Sequence, residues 1–432
     1  MSKTIEYIIS NVDEFKLKIL QWSSKFNSVA ILDSNNYNSD KYSKHEYIAG
    51  IGAVKELKLT QYKDSFNKLK VFQQSNKNYL FGYFSYDLKN VIENLKSENI
   101  DNLQFPILHF FEPEYLIKIK EKTVSITSRN VDEIFNQINT QKIINSEIKS
   151  NSFTPIFLKN EYINTVNKLK QHIQLGDIYE VNFCQEYFST VQVFNPISVY
   201  SNLMKISPTP FSTFYKIDDK YLISATPERF INKTGQTVIS QPIKGTIKRD
   251  IDAEKDKQLI NKLKNDKKEI SENVMIVDLV RNDMSKFAKK GSVKVDELFE
   301  IYSFPQVHQM ISTITAEVDE TKNNIDIIKE MFPMGSMTGA PKIRAMKLIE
   351  EYEKSMRALF SGTVGYFEPN GDFDFNVIIR SLFYNSSNNY LSFQVGSAIT
   401  INSEAENEYQ ECLIKAKAIL LATNGKIEKV LP

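Results

Sequence analysis

Cysteine, histidine and tryptophan are scarce in this chain of 432 residues, with two, four and one copies respectively. Two cysteines, Cys184 and Cys412, are too few for a disulfide framework at this length. Four histidines argue against a His-driven catalytic triad. Charge of one sign is lacking as well: 54 Lys and Arg face 53 Asp and Glu, a formal net charge of +1. No overall field and no basic arm draws the chain to nucleic acid or an anionic membrane. No stretch reaches the roughly 18 apolar residues of a membrane span. The opening MSKTIEYIISNVDEF carries charges where a signal peptide has its apolar core. These absences lead to the expectation of a soluble, cytoplasmic protein with neither nucleic acid nor a membrane as partner. A G-x-S-x-G elbow, zinc-ligand spacing and a dinucleotide fingerprint are also missing. Any chemistry then falls to Glu, Lys, Arg and a hard cation such as Mg²⁺.

Aromatic and aliphatic residues are abundant. The 28 Phe, 21 Tyr and 41% hydrophobic content can fill a large core, and the length suggests about two to three domains. Short β-like runs occupy the first third: SVAILDS, YLFGYFSYD and LIKIKEKTVSIT. The polar, irregular segment 137–157 is the candidate boundary between a first region, 1–150, and a second, 158–425. After it, Tyr162, Val166, Leu169 and Ile173 fall on one helical face, with Gly176 placed to end the helix. Strands are expected over 178–191 and 220–247, and a long helix over 253–285. A Gly-rich loop at 335–340 leads into a helix opened by Pro341. Strands at 359–368, 373–384 and 389–399 precede a last helix over 404–422. This order predicts an α+β fold with large, mainly antiparallel sheets.

Five constellations carry possible chemistry. In KKEISENVMIVDLVRND, Glu272 begins an apolar helical stripe with Met275, Ile276 and Leu279. A carboxylate there is costly to bury unless paired, hydrogen-bonded or bound to metal, and a salt bridge at the helix edge satisfies it equally. In the terminal helix, Glu408, Glu411 and Lys415 share a face. Facing carboxylates can hold Mg²⁺ together with substrate oxygens, or form solvated ion pairs. In DFDFNVIIRSLF, Phe373, Phe375, Val377, Ile379 and Phe383 alternate along one strand face while Arg380 leaves from the other, with Asn376. Such an arginine suits a carboxylate clamp or a cross-strand salt bridge. GSMTGAPKIRAM offers free backbone N–H groups at a helix start, an arrangement that favours anions, but it lacks the spacing of a phosphate-binding P-loop. Finally, Lys244 in QPIKGT can be a solvated loop residue, an anion holder or a reactive amine.

ATPERF, QPIKGT, ENVMIVDLVRND, GSMTGAPKIRAM, SGTVGYF, NVIIRSL and EYQECLIKAKAIL follow one another in this chain. In that order the sequence resembles the chorismate-utilising enzymes, in particular component I of anthranilate synthase and of aminodeoxychorismate synthase. The likeness is strong over about 158–424 and fainter before it, through AILDSN and GYFSYD. It implies that Glu272, Glu408 and Glu411 hold Mg²⁺ against chorismate, and that Arg380 and Tyr366 clamp the enolpyruvyl carboxylate. It further implies that Gly396, Lys415 and Thr338 contact substrate and that Glu228 protonates the departing C4 hydroxyl. Within this family PIAGT marks anthranilate synthases and PIKGT aminodeoxychorismate synthases, which makes Lys244 a covalent nucleophile whose pKa a desolvated, cation-rich site would lower. The alternatives are an anthranilate synthase component I, an isochorismate or salicylate synthase, and a non-catalytic chorismate-binding module.

Two positions depart from the resemblance. Glu180 in GDIYEVNF stands where amine-using members usually carry Gln and water-using members a lysine base. Gln309, beside His308, stands where a His is frequent. No amidotransferase segment is evident, since Cys184 and Cys412 lack the Gly-rich elbow of such a nucleophile. The resemblance therefore implies a separate glutamine amidotransferase subunit as the source of ammonia.

Overall fold

The computed structural model describes residues 2–37, 40–144, 146–304 and 307–428. Its architecture is α+β: among the described residues 21 strands form a continuous hydrogen-bonded network, antiparallel there except for Lys426–Ile427 beside Ser152–Pro155, and helices flank it. The central pairing joins Glu180–Thr190 to Tyr390–Ile399, in register from Val181 opposite Ile399 to Thr190 opposite Tyr390. Strands of the first 150 residues belong to the same network. Ser28–Asp33 pairs with Phe211–Ile217, and Leu80–Phe84 pairs with Thr363–Phe367.

Two hydrophobic cores lie within this frame. One gathers Phe81, Phe84, Phe110, Phe375 and Ile276, and the other Trp22, Leu169, Phe183 and Ile419. The helix Lys159–Gln174 forms as its periodicity predicts, burying Tyr162, Val166 and Leu169, and Gly176 follows at φ +82°. The terminal helix spans Ala405–Ala422.

Two expected elements are each divided. The helix expected over 253–285 is two helices, Ala253–Lys264 and Lys267–Ser285. Asp266 causes the break by capping the second helix, its side chain accepting from the N–H groups of Lys268 and Glu269 at 2.9 and 3.2 Å. The strand expected over 373–384 is Phe373–Val377 followed by Ser381–Asn385. Between them Arg380 adopts φ +52°, a conformation that turns the chain out of the first strand.

Candidate active site

The strand Ile243–Lys248 runs antiparallel to Val307–Glu317, and its register jumps between Ile243 and Thr246. This is a bulge, which re-aims a side chain at the cost of local pairing. Gly245 sits in it at φ +89°, where a Cβ would meet Leu263 Cδ1 at 3.1 Å, so glycine is required. The bulge directs Lys244 inward: the residue is buried, with Nζ 2.8 Å from Glu180 Oε1 and 3.9 Å from Glu272 Oε2. A solvated loop lysine is thereby excluded. Burial alone would lower its pKa, but the carboxylates of Glu180 and Glu272 outweigh burial and raise it. The resting side chain is an ammonium ion, contrary to the lowering expected from neighbouring cations.

Glu228 lies in the turn between the strands Lys220–Thr226 and Arg229–Thr234 and is buried. Ser336 Oγ donates to its Oε1 at 2.7 Å. Burial pushes its pKa up to about 7, with the Ser336 hydrogen bond and the charge of Lys244 opposing that rise. A carboxyl group in this state can give a proton at neutral pH.

Carboxylates of two helices gather at Lys268, and one of them, Glu272, also faces Lys244. Lys268 reaches Glu272 at 3.8 Å and Glu408 at 3.5 Å, linking the helices Lys267–Ser285 and Ala405–Ala422. Glu272 Oε1 and Glu408 Oε2 are buried without a hydrogen-bond partner, and burial pushes the Glu272 carboxyl up to about 7. Glu411 pairs with Lys415 at 2.5 Å. Among the described residues no three His, Cys, Asp or Glu side chains converge closely enough to hold a metal ion unaided. Orphaned hard oxygens on two helices nevertheless fit Mg²⁺, which commonly takes one or two carboxylates and completes its shell with substrate and water.

Arg380 is half-buried, and its guanidinium has no hydrogen bond or ion pair among the described residues. Burial lowers its pKa while the charge of Glu411 opposes the lowering. An unpartnered arginine in such surroundings is a cation prepared for a carboxylate. Lys415 Nζ donates to the Gly396 carbonyl at 2.8 Å. Gly396 is glycine because a Cβ there would lie 2.3 Å from the Phe183 carbonyl oxygen across the sheet.

The family model for chorismate binding enzymes matches residues 28–421. The chain belongs to that family. It is 34% identical over 353 residues to an anthranilate synthase component I-like protein of a Synechocystis strain, covering 80% of this chain and 72% of that protein. It is 31% identical over 357 residues to aminodeoxychorismate synthase component 1 of Bacillus subtilis, covering 78% of this chain and 75% of the relative. The crystal structure of anthranilate synthase component I from Streptococcus pneumoniae superposes with a TM-score of 0.78 at 24% identity, over 91% of this chain and 92% of that one. The fold is thus that of the chorismate-binding enzymes.

Two of the residues expected to touch substrate have partners within the protein itself. The Tyr366 ring packs against His45, Tyr79 and Phe81. The strand Thr363–Phe367 carries it along Leu80–Phe84, where Tyr366 pairs with Phe81. Thr338 is fully buried, and its hydroxyl donates back to the Met334 carbonyl at 3.1 Å. The whole loop 335–340 is buried, and its N–H groups at Met337 and Thr338 bond to Met334 and Gly335. The loop braces the cleft. Asn182 Nδ2 donates to the Ser336 carbonyl at 2.7 Å, while Ser336 Oγ holds Glu228.

Three residues of the cleft carry no assigned role in the sequence reading: Glu180, Ser336 and Lys268. Glu180 is visible there only as a departure, and Ser336 and Lys268 only as members of their motifs. Gln309 donates weakly to Thr246 Oγ1 at 3.5 Å and leaves its buried Oε1 without a partner. Its neighbour His308 turns away to Asp256, at 2.9 Å.

Proposed function

We propose that this chorismate-binding enzyme is component I of an aminodeoxychorismate synthase, converting chorismate and ammonia to 4-amino-4-deoxychorismate on the route to 4-aminobenzoate and folate. The observation that carries the reading is Lys244, an amine buried in the cleft and aimed by a bulge between Glu180 and Glu272. The relatives fall on both sides of the choice at similar identity, so residue 244 bears the distinction from an anthranilate synthase. Ammonia comes from a separate glutamine amidotransferase subunit, and the reaction belongs in the cytoplasm.

Arg380 takes one carboxylate of the substrate dianion, and the Lys415 end of the cleft adds a second cation. Glu272 and Glu408, flanked by Glu411, are the residues that would hold Mg²⁺. When bound, that ion supplies the positive charge that neutralises a substrate carboxylate. Lys244 attacks as a free amine, so its ammonium first gives up one proton. The leaving hydroxyl gains one, and Glu228, poised near neutrality, delivers it. The C2–N bond forms, the ring double bonds shift, and the C4–O bond breaks with release of water. Ammonia then adds at C4, the double bonds return, and the C2–N bond to Lys244 breaks.

Lys244→Ala tests this scheme through product identity. Arg380, Glu228 and the carboxylates remain, so chorismate still binds, but C2 is open to ammonia. The expected result is loss of most C4-aminated product and the appearance of C2-aminated product or anthranilate, read by mass and fluorescence. C4 amination by the variant at the wild-type rate would refute the covalent role.

A further inference from the structure

Glu180 is wholly buried, with Oε1 accepting from Lys244 Nζ at 2.8 Å and Oε2 unpartnered. Its backbone is held from both sides by the loop 335–340. Tyr179 N–H donates to the Ala340 carbonyl at 2.7 Å and Asn182 N–H to the Thr338 carbonyl at 2.8 Å. Gly339, at φ +145°, approaches so closely that a Cβ would lie 2.2 Å from the Glu180 carbonyl oxygen. Beyond Glu180 the same strand continues into its long pairing with Tyr390–Ile399. The carboxylate therefore stands on a backbone that cannot slide toward the cleft or away from it.

Lys244 is the opposite case. Its ammonium rides on a four-carbon stem beside a glycine bulge, and a competing carboxylate, Glu272, waits at 3.9 Å. We propose that Glu180 is the positioning residue that fixes the Lys244 nitrogen and thereby decides that nitrogen from ammonia ends at C4 and not at C2. This inference rests on the aminodeoxychorismate synthase reading above. With Lys244 held in place, its nitrogen occupies C2, and ammonia can only form the C4–N bond as the lysine C2–N bond breaks. With Lys244 displaced from that position, ammonia itself forms the C2–N bond. The C4–O bond breaks in that step, and the proton of Glu228 leaves in the released water.

Two conservative variants separate position from charge. Glu180→Gln keeps an acceptor oxygen at the same reach and removes the charge, whereas Glu180→Asp keeps the charge and withdraws it by one methylene. The assay uses the full chain with chorismate, Mg²⁺ and ammonium. It reads the ratio of C4- to C2-aminated product and, by intact mass, the chorismate-derived adduct on the protein. Glu180→Gln should hold the wild-type ratio within about twofold. Glu180→Asp should shift it toward C2 by about tenfold or more, since a displacement on the order of 1 Å can cost as much as 10²-fold in rate. Chorismate affinity should be unchanged in both. Wild-type C4 product with an unchanged ratio in Glu180→Asp overturns the positioning role alone, as does an equal shift in both variants. C2 product from the wild type overturns the reading of the enzyme and the inference with it.

Discussion

A carboxylic acid that gives up its proton near pH 7 changes two observables at once, and Glu228 is such a group. Its pKa lies at about 7, above the ordinary 4.5, because it is buried. The folded protein therefore retains a proton that the unfolded chain releases between these values, so Glu228 makes stability fall as pH rises from about 4.5 to 7. The catalytic sign is the same: the acid form disappears as pH passes 7, and turnover at constant free ammonia should decline. Glu228→Gln should lower turnover by about 10²–10⁴-fold, remove that declining limb, and flatten the matching part of a melting-temperature profile. A variant that keeps the limb would assign the titration to another group. At this scale the sequence was only partly readable. Glu228 and Arg380 stand out through their motifs, but the partner of Lys244 lies 64 positions away on another strand. No periodicity brings such a pair together. The sign of the lysine pKa shift depends on that pair and was unreadable for the same reason.

Among the elements, the loop 335–340 shows what composition alone leaves open. Small residues ahead of a helix resemble an anion cradle, and their smallness here also serves close packing against the neighbouring helix and strand. Gly335 faces Leu279 of the helix Lys267–Ser285, with Cβ space of only 3.3 Å, and Gly339 faces the strand of Glu180. Gly339→Ala would place a methyl group against a carbonyl oxygen at a φ that L residues rarely adopt. It should cost at least about 2 kcal/mol, within the range for strained backbone and its displaced neighbours. It should also lower activity, because the loop holds both Glu228 and the Glu180 strand. Denaturant unfolding and a turnover assay check the two parts, and a variant as stable as the wild type would show that the loop yields freely. The amphipathic helices were readable because each buries its own face locally. The two misjudged elements were divided for different reasons. Asp266 announces a new cap in the sequence, a signal outweighed by the continuous apolar pattern around it. The turn at Arg380 carries no residue that marks φ +52°, and the apolar run passes straight through it.

Taken whole, the molecule is α+β as its element order predicts, and no helix among the described residues is long and apolar enough to cross a membrane. The strand partners of the first 150 residues were beyond reach of pattern, since pairing between distant strands is decided by the assembled sheet. Those partners have a consequence for any attempt to divide the protein. Residues 158–425 alone would lose Ser28–Asp33 from beside Phe211–Ile217 and Leu80–Phe84 from beside Thr363–Phe367, exposing two bare strand edges of the kind that aggregate. Expressed alone, this piece should be insoluble, and a soluble, active fragment would contradict the expectation. Expressed together with 1–150, the two pieces should behave like a split reporter. Neither would have a closed sheet by itself, and chorismate turnover would return only on their encounter, which makes the enzyme's activity a direct signal of fragment complementation.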